Sequence, residues 1–253
     1  MLWYKAWLET RWRFLIGLAV LMGFACGAVF DYPVFVRLNA SVSAIDASGH
    51  FGRLIREAVE TQRTYRGFIW FQWYRQNLVQ MWTILAVLLG SGGLMAASSG
   101  GALFALSMPV SRARLAGIRA ATALLELLVL ALIPSLLIPL LSPAVGEHYG
   151  LGDTAVHSVS LFLAGSMFFS LAFLLSAVFD DFWRPMLIAC AVALSQTLIG
   201  ALAGLPFSEM LRVMSAESYF RTGQVAWVGL GLAVTAGLLM LYAAVAIIER
   251  RDF

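Results

Sequence analysis

The chain has 253 residues, of which 61% are hydrophobic and only 12% are charged. Soluble globular proteins contain about 45–50% apolar and about 25% charged residues, so the composition excludes a water-soluble globular fold of this size. The net charge of +3 is small, and the basic residues form no stripe along the sequence. Both observations argue against a nucleic-acid-binding protein.

The first element in chain order is an amphipathic helix predicted at Met1–Arg13. Trp3, Trp7 and Leu8 recur there at helical spacing, with charged side chains between them. This pattern suits a helix that lies in the membrane interface, and a solvated tail is the alternative.

Six apolar stretches follow that are long enough to cross a membrane. A bilayer core about 30 Å thick requires about 20 apolar residues in a helix, which satisfies its own backbone hydrogen bonds inside lipid. Tryptophans near the ends of these stretches suit the membrane–water interface. The predicted spans are Phe14–Phe30, Leu78–Ala97, Leu115–Leu141, Val156–Phe179, Pro185–Leu205 and Val225–Ile248. We therefore predict one all-α, polytopic domain over residues 1–253 with six transmembrane helices.

Six spans place both termini on the same side of the membrane. Basic residues favour the cytoplasmic side, mainly in short segments. With residues 31–77 left aside as a long segment, nine basic residues fall on the side of the termini and two on the other. We therefore expect both termini in the cytoplasm, and residues 31–77 and 207–224 outside it.

Both external segments contain helical patterns. Apolar residues recur at helical spacing over Phe51–Val59, which predicts an amphipathic helix packed on the outer surface. Apolar and charged residues alternate over Phe207–Gln224, which predicts a second short surface helix.

The segment 98–114, between the second and third spans, is predicted to be cytoplasmic. Pro109 is a helix-start signal, and Arg112 and Arg114 then project from a short helix parallel to the membrane. An ordinary positively charged membrane anchor is the alternative.

Several catalytic motifs are absent from the sequence. A phosphate-binding loop needs a lysine after its glycines, but the only lysine is Lys5. The His-Glu-x-x-His motif of zinc proteases is also missing. A loop carries two acids and two histidines whose spacing fits no strong zinc pattern: Glu147, His148, Asp153 and His157. We therefore expect a non-catalytic chain without a metal or cofactor of its own.

Polar residues inside two spans are candidates for a translocation path. Glu126 is the one acid well inside an apolar run, and Gln196 stands between Ser195 and Thr197 in the fifth span. A carboxylate at this depth costs about a few kcal/mol and usually faces protein or water. Both residues can equally serve as hydrogen-bond partners between helices.

Three stretches resemble one transporter family. They are Asn77-Leu78-Val79-Gln80 through Gly92-Gly93-Leu94, then Leu106-Ser107-Met108-Pro109-Val110-Ser111-Arg112-Ala113-Arg114-Leu115, and the ending Ile248–Phe253. The chain is similar in these stretches and in its layout to the membrane subunits of ABC-2 type (type II exporter) ABC transporters. That family commonly carries an acidic residue and a Gly-Thr pair after the second span, whereas Ala96–Ala102 has neither.

The resemblance implies a permease subunit driven by another chain. Residues 98–114 would form a coupling helix that inserts into a separate ATPase subunit, and Met1–Arg13 would be an interfacial connecting helix. Phe207–Gln224 would be an outer helical pair before the last span. The implied contact residues are Ser107, Met108, Pro109, Val110, Ser111, Arg112 and Arg114. Two ATPase subunits, which bind ATP and Mg, and a second permease copy or a paralogue would complete an exporter in the inner (plasma) membrane of a bacterium.

Two other functions fit the same sequence. One is an ATP-independent channel or secondary carrier centred on Glu126. The other is a membrane assembly factor that transports nothing. Within the exporter interpretation, the small number of charges in the spans favours an amphiphilic or lipid-like cargo over a small ion.

Overall fold

The structure is a computed structural model that describes residues 2–42, 59–92, 111–179, 181–203 and 208–250, without the side chains at 39–42, 196–203 and 208–209. The regular elements of these ranges are all helical. In chain order they are α1 Leu2–Phe30, α2 Tyr32–Val42, α3 Tyr65–Ile69, a π-helix Trp70–Leu78, α4 Val79–Gly90, α5 Arg112–Leu141, a 3₁₀ turn Ser142–Val145, α6 Leu151–Val178, α7 Trp183–Ala203, α8 Ser208–Met214, α9 Glu217–Thr222 and α10 Trp227–Arg250.

Four of these helices are long and apolar enough to cross a membrane: α1, α5 with its 3₁₀ turn, α6 and α10. They overlap the first, third, fourth and sixth predicted spans, so the chain is an all-helical protein of the multi-pass membrane type. In the fifth predicted span, α7 runs from Trp183 to Ala203, and its part with described side chains, Trp183–Ser195, is apolar. In the second, α4 covers 12 residues, and residues 93–97 lie outside the described part.

The N-terminal residues differ from the predicted separate interfacial helix. α1 runs without interruption from Leu2 to Phe30, so residues 2–13 form the first turns of the helix that continues into the first span. No proline or glycine stands between Leu2 and Ile16, and the sequence therefore contains no helix breaker before the apolar run.

The helix of the second predicted span begins earlier than its apolar run. α3, the π-helix and α4 follow one another without a gap from Tyr65 to Gly90. The Thr64 hydroxyl accepts the Gly67 N–H at 3.1 Å and caps the first turn. Residues 65–77, predicted as part of an external segment, are therefore the beginning of this long helix.

Three tryptophans of this helix lie in the protein core, where their rings face other helices. Trp70, Trp73 and Trp82 are fully buried. Their indole N–H groups donate to the Ser215 carbonyl at 3.1 Å, the Ser135 hydroxyl at 3.4 Å and the Leu127 carbonyl at 2.9 Å, respectively. A partner for the N–H removes the main cost of burying an indole, and hydropathy along one segment does not reveal such a partner.

α6 packs extensively against both α10 and α4. Two glycines permit the close approach of α4 and α6. A Cβ atom at Gly165 would lie 2.3 Å from the Trp82 ring, and one at Gly90 would lie 2.6 Å from the Phe169 carbonyl oxygen. Both distances are too short for a real contact, so any larger residue would push the helices apart.

α1 packs along α5, and the buried faces of both helices are rich in small residues. These residues are Gly17, Ala25 and Ala28 on α1, and Ala116, Ala120, Ala123 and Ala131 on α5. Small side chains let helix backbones come close in a membrane. This packing brings the N-terminal part of α1 against the first half of α5.

The predicted coupling segment is described only from Ser111 onward. Ser107, Met108, Pro109 and Val110 lie outside the described residues. The Ser111 hydroxyl accepts the Arg114 N–H at 3.4 Å and caps α5. Arg112 and Arg114 therefore belong to the first turn of a 30-residue helix, and not to a separate short helix, because α5 begins at Arg112 instead of Leu115.

The predicted surface helix at Phe207–Gln224 is a pair of short helices, α8 and α9. The turn between them contains Ala216, whose φ of 49° lies in the left-handed region. The amphipathic helix predicted at Phe51–Val59 lies outside the described residues except for Val59.

Candidate functional site

Glu126 lies at the contact between α5 and α1. It is 5% exposed, and its Oε1 accepts a hydrogen bond of 2.6 Å from the Thr10 hydroxyl. Its other oxygen, Oε2, is buried and has no hydrogen-bond partner among the described residues. The sequence singled out Glu126 as an intramembrane acid, and the structure brings it to a helix–helix contact.

A salt bridge joins the same two helices seven residues earlier on α5. Arg119 Nη1 lies 3.3 Å from Glu9 Oε2, and the Arg119 side chain is 16% exposed. Glu9 and Thr10 are neighbours on α1, and their partners Arg119 and Glu126 lie about two turns apart on α5. Two polar contacts thus fix the position of α1 along α5.

Arg13 extends this group to α4. Its Nη1 donates to the Leu88 carbonyl at 3.1 Å, and its guanidinium lies 4.9 Å from the centre of the Phe182 ring. Both Arg13 and Arg119 flank Gly92, where an added Cβ would lie 3.2 Å and 3.1 Å from their respective terminal nitrogens. We call Glu9, Thr10, Arg13, Arg119 and Glu126 the Glu126 cluster.

The Glu126 cluster surrounds one end of the segment that carries the predicted coupling residues. The described chain stops at Gly92, between Arg13 and Arg119, and resumes at Ser111, eight residues before Arg119 on the same helix. Sequence reasoning chose Glu126 but missed Glu9, Thr10, Arg13 and Arg119. The signal for them was polar residues at the start of two apolar helices. The prediction assigned those before Phe14 to an interfacial helix and counted Arg119 only as a basic residue on the cytoplasmic side.

A lateral groove of about 390 Å³ lies between α4, α6, α7 and α8. Its walls are mainly apolar, with Val87, Phe168 and Leu211 among them, and Gln80 and Thr83 supply the polar groups. Ile84 and Leu194, which also line it, are 47% and 62% exposed. The groove is therefore open to the apolar outer surface of the bundle.

Glu126, one of the two candidate path residues, does not line this groove. Glu126 faces Thr10 on α1, on a different pair of helices. Gln196 lies in α7, which contributes Cys190, Ala193 and Leu194 to the groove, but its side chain is not described.

The opposite end of the bundle holds a second polar cluster, which sequence reasoning did not predict. Asp153 of α6 accepts two hydrogen bonds from Arg66, at 2.9 and 3.2 Å, and one from the Tyr219 hydroxyl at 3.0 Å. The bond to Asp153 raises the pKa of Tyr219 because the carboxylate stabilises the protonated phenol. These contacts join α3, α6 and α9.

His157 and Trp70 hold the turn between α8 and α9. The Ser215 carbonyl accepts hydrogen bonds from His157 Nδ1 at 3.0 Å and from Trp70 Nε1 at 3.1 Å. Trp70 also stacks on Phe220 of α9, with 4.3 Å between the ring centres and 4° between the planes. We call Arg66, Trp70, Asp153, His157 and Tyr219 the Asp153 cluster.

The acids and histidines of the predicted loop do not come together as a metal site. Asp153 binds Arg66 and Tyr219, and His157 binds a backbone carbonyl. Among the described residues, no group of three His, Cys, Asp or Glu side chains has a geometry that could hold a metal ion. Asp153 and His157 lie one turn apart on α6, and their partners come from α3, from α9 and from the turn between α8 and α9.

Taken together, the described polar side chains form contacts between helices at the two ends of the bundle, and an apolar groove opens at its side. Comparisons with protein-family models, with curated proteins and with solved structures found no match for this chain.

Proposed function

We propose that this chain is the membrane-spanning permease subunit of an ATP-binding cassette exporter of the ABC-2 type. A separate ATPase subunit binds and hydrolyses ATP with Mg, and the permease moves its cargo by alternating access. In this proposal six helices cross the inner membrane of a bacterium, both termini are cytoplasmic, and a second permease copy or a paralogue completes the transporter.

The observation that carries the proposal is the position of the Glu126 cluster. It links α1, α4 and α5 beside Gly92, at one end of residues 93–110, the segment whose sequence resembles a coupling helix. A partner that moves this segment acts on α4 through Gly92 and on α5 through Ser111. Because Thr10 and Glu9 tie α1 to α5, α1 follows the same displacement.

The packing supports a movement of whole helices. α1 packs mainly on α5, and α10 packs mainly on α6. A force applied at Ser111 therefore acts first on the α1–α5 pair. Because α5 also packs on α6, a shift of this pair relative to the α6–α10 pair changes the packing between α5 and α6. Transitions between two packed arrangements of helices are a common basis of conformational switching in proteins. The partner supplies the free energy by binding one arrangement more tightly.

The lateral groove supports an amphiphilic cargo. Its apolar walls and its opening toward the outer surface suit an acyl chain, and Gln80 and Thr83 offer hydrogen-bonding groups to a polar part of the same molecule. Access from the side lets a lipid-like molecule enter without passing through water.

The proposal is tested by purifying the tagged full-length chain from its native membranes and measuring ATP hydrolysis. We expect an ATPase subunit to co-purify. The double charge reversal Arg112→Glu and Arg114→Glu should reduce the recovered ATPase at least about tenfold, because it replaces two cations at the start of α5 with anions. Full recovery of the ATPase with the double variant would contradict the coupling assignment.

A matched control is available in Arg184→Glu. Arg184 is an exposed arginine paired with Asp181 at 3.0 Å, and the proposal places it on the same side of the membrane. This variant should retain the ATPase at the wild-type level. Absence of any ATPase from the wild-type preparation would reject the exporter proposal itself.

One observation favours a second candidate, a gradient-driven carrier centred on Glu126. The unpartnered Oε2 is a buried carboxylate oxygen that could exchange a proton. Proteoliposomes that contain only this chain and a fluorescent short-chain phospholipid distinguish the two. Movement of the probe driven by a pH gradient without nucleotide, and its loss in Glu126→Gln, would favour the carrier.

A further inference from the structure

A second cavity, of about 430 Å³, lies where α8, α9 and the start of α10 meet. It has polar walls, unlike the lateral groove. Arg212 comes from α8 and Arg221 from α9, with Glu217 between them, and the hydroxyl residues Ser218 and Thr222 complete the wall. Neither the proposed transport mechanism nor the Asp153 cluster uses these side chains.

Glu217 organises the two arginines. It is 8% exposed, and each of its carboxylate oxygens faces one guanidinium. Arg221 Nε lies 2.8 Å from Oε1, and Arg212 Nε lies 3.8 Å from Oε2. Because Glu217 is buried and the arginine side chains are 57% exposed, the carboxylate anchors two cations that extend to the surface.

The cavity has the charge and the donors that an oxyanion requires. Two guanidinium groups face one carboxylate in the wall. Arg221 uses its Nε for Glu217, and a guanidinium carries five N–H donors, so its terminal nitrogens can bind another group. Phosphate oxygens match this planar set of donors particularly well.

The position of the cavity selects the source of the phosphate. Ala226 lines the cavity, and the next two residues, Trp227 and Val228, are 74% and 79% exposed. They begin α10, one of the helices long and apolar enough to cross a membrane. An exposed tryptophan at the start of such a helix marks the membrane interface, which is the depth at which phospholipid phosphates lie.

We propose that the Arg212–Glu217–Arg221 cavity binds the phosphate of an anionic phospholipid headgroup. The acyl chains of this lipid extend along the exposed apolar surface at Trp227 and Val228. The site is separate from the lateral groove and does not depend on the exporter proposal. The bound lipid holds α8 and α9 against the start of α10.

The test measures the affinity of the purified full-length chain for short-chain phosphatidylglycerol, from the shift of its thermal unfolding midpoint in detergent. Phosphatidylcholine and inorganic phosphate are titrated in parallel. We expect phosphatidylglycerol to bind at least about tenfold more tightly than either. The choline cation of phosphatidylcholine is repelled by the same two arginines, and inorganic phosphate lacks the acyl chains that contact the apolar surface.

Variants at the two arginines assign the binding to this cavity. Arg221→Gln and Arg212→Gln should each weaken phosphatidylglycerol binding about tenfold. Arg221→Lys, which keeps the charge but loses the fork of donors, should weaken it less. Arg37→Gln, at an exposed arginine of α2, is the control and should leave the affinity unchanged.

Three results would overturn the proposal. Equal affinity for phosphatidylglycerol and phosphatidylcholine would show that the net charge of the lipid headgroup plays no role in binding. Equal affinity for inorganic phosphate would assign the cavity to a soluble anion. Wild-type lipid affinity in a correctly folded Arg212→Gln, Arg221→Gln double variant would place the binding elsewhere on the protein.

Discussion

The Asp153 cluster and the Glu126 cluster both join helices that are distant in sequence, but they do so with very different contacts. Asp153 accepts three hydrogen bonds, and the rings beside it are stacked, with Trp70 on Phe220 and Tyr74 on His157 at 4.3 and 4.5 Å. Glu126 accepts one hydrogen bond from Thr10.

This difference indicates where the bundle is rigid and where it can move. At the Asp153 end, a displacement of α9 must break a bidentate ion pair and separate stacked rings. At the Glu126 end, a displacement of the α1–α5 pair relative to α4 must break one side-chain hydrogen bond of the cluster, from Arg13 to the Leu88 carbonyl. In the proposed transporter, the Asp153 end is therefore the fixed part of the bundle and the Glu126 end is the part that responds to the ATPase.

The largest expected effect is at Trp70 in the rigid end. Trp70→Ala removes a fully buried indole that stacks on Phe220 and donates to the Ser215 carbonyl, which should lower the free energy of unfolding by about 3–5 kcal/mol. Denaturant unfolding in detergent measures this loss. Trp227→Ala, at a 74% exposed position, should change stability by less than about 0.5 kcal/mol, and equal losses in both variants would contradict the comparison.

An intermediate effect is expected at Asp153. Asp153→Ala leaves Arg66 and Tyr219 without this acceptor, and because the Arg66 side chain is 48% exposed, the loss should be only about 1–2 kcal/mol. The same unfolding measurement applies. Asp181→Ala removes an exposed carboxylate that pairs with Arg184 and should cost less than about 0.5 kcal/mol.

The smallest effect on stability is expected at Thr10, where the effect on coupling should be larger. Thr10→Val removes the hydroxyl that donates to Glu126 and should cost about 1 kcal/mol. In the proposed complex, it should also lower cargo-stimulated ATP hydrolysis several-fold, because α1 then no longer follows α5. Thr10→Ser keeps the hydroxyl and should behave as the wild type; equal coupling in the valine and serine variants would remove this role from Thr10.

Local sequence patterns predicted the elements that depend on hydropathy alone. The third and fourth spans, predicted at Leu115–Leu141 and Val156–Phe179, lie within α5 and almost wholly within α6, because a long apolar run must form a helix in lipid. The predicted start of the first long helix, at Phe14, was wrong, because the charged residues before it were assigned to a separate helix. Nothing in the local sequence breaks the helix there.

Contacts between helices could not be predicted in the same way. Thr10 and Glu126 are 116 residues apart, and whether they meet depends on how α1 and α5 are rotated about their axes. The burial of Trp82 depends similarly on Gly165 of α6, which leaves space for its ring. A single sequence contains no direct signal of either rotation.

α5 contains two prolines, Pro134 and Pro139, in its second half. Each proline lacks the N–H that would bond to the carbonyl four residues earlier, so the carbonyls of Leu130 and Ser135 lose their usual backbone donor. The first half of α5, which carries Glu126, contains no proline and therefore no break of this kind. The helix therefore has its weakest backbone bonding beyond Leu130, in the half that lies farther from the segment proposed to contact the ATPase.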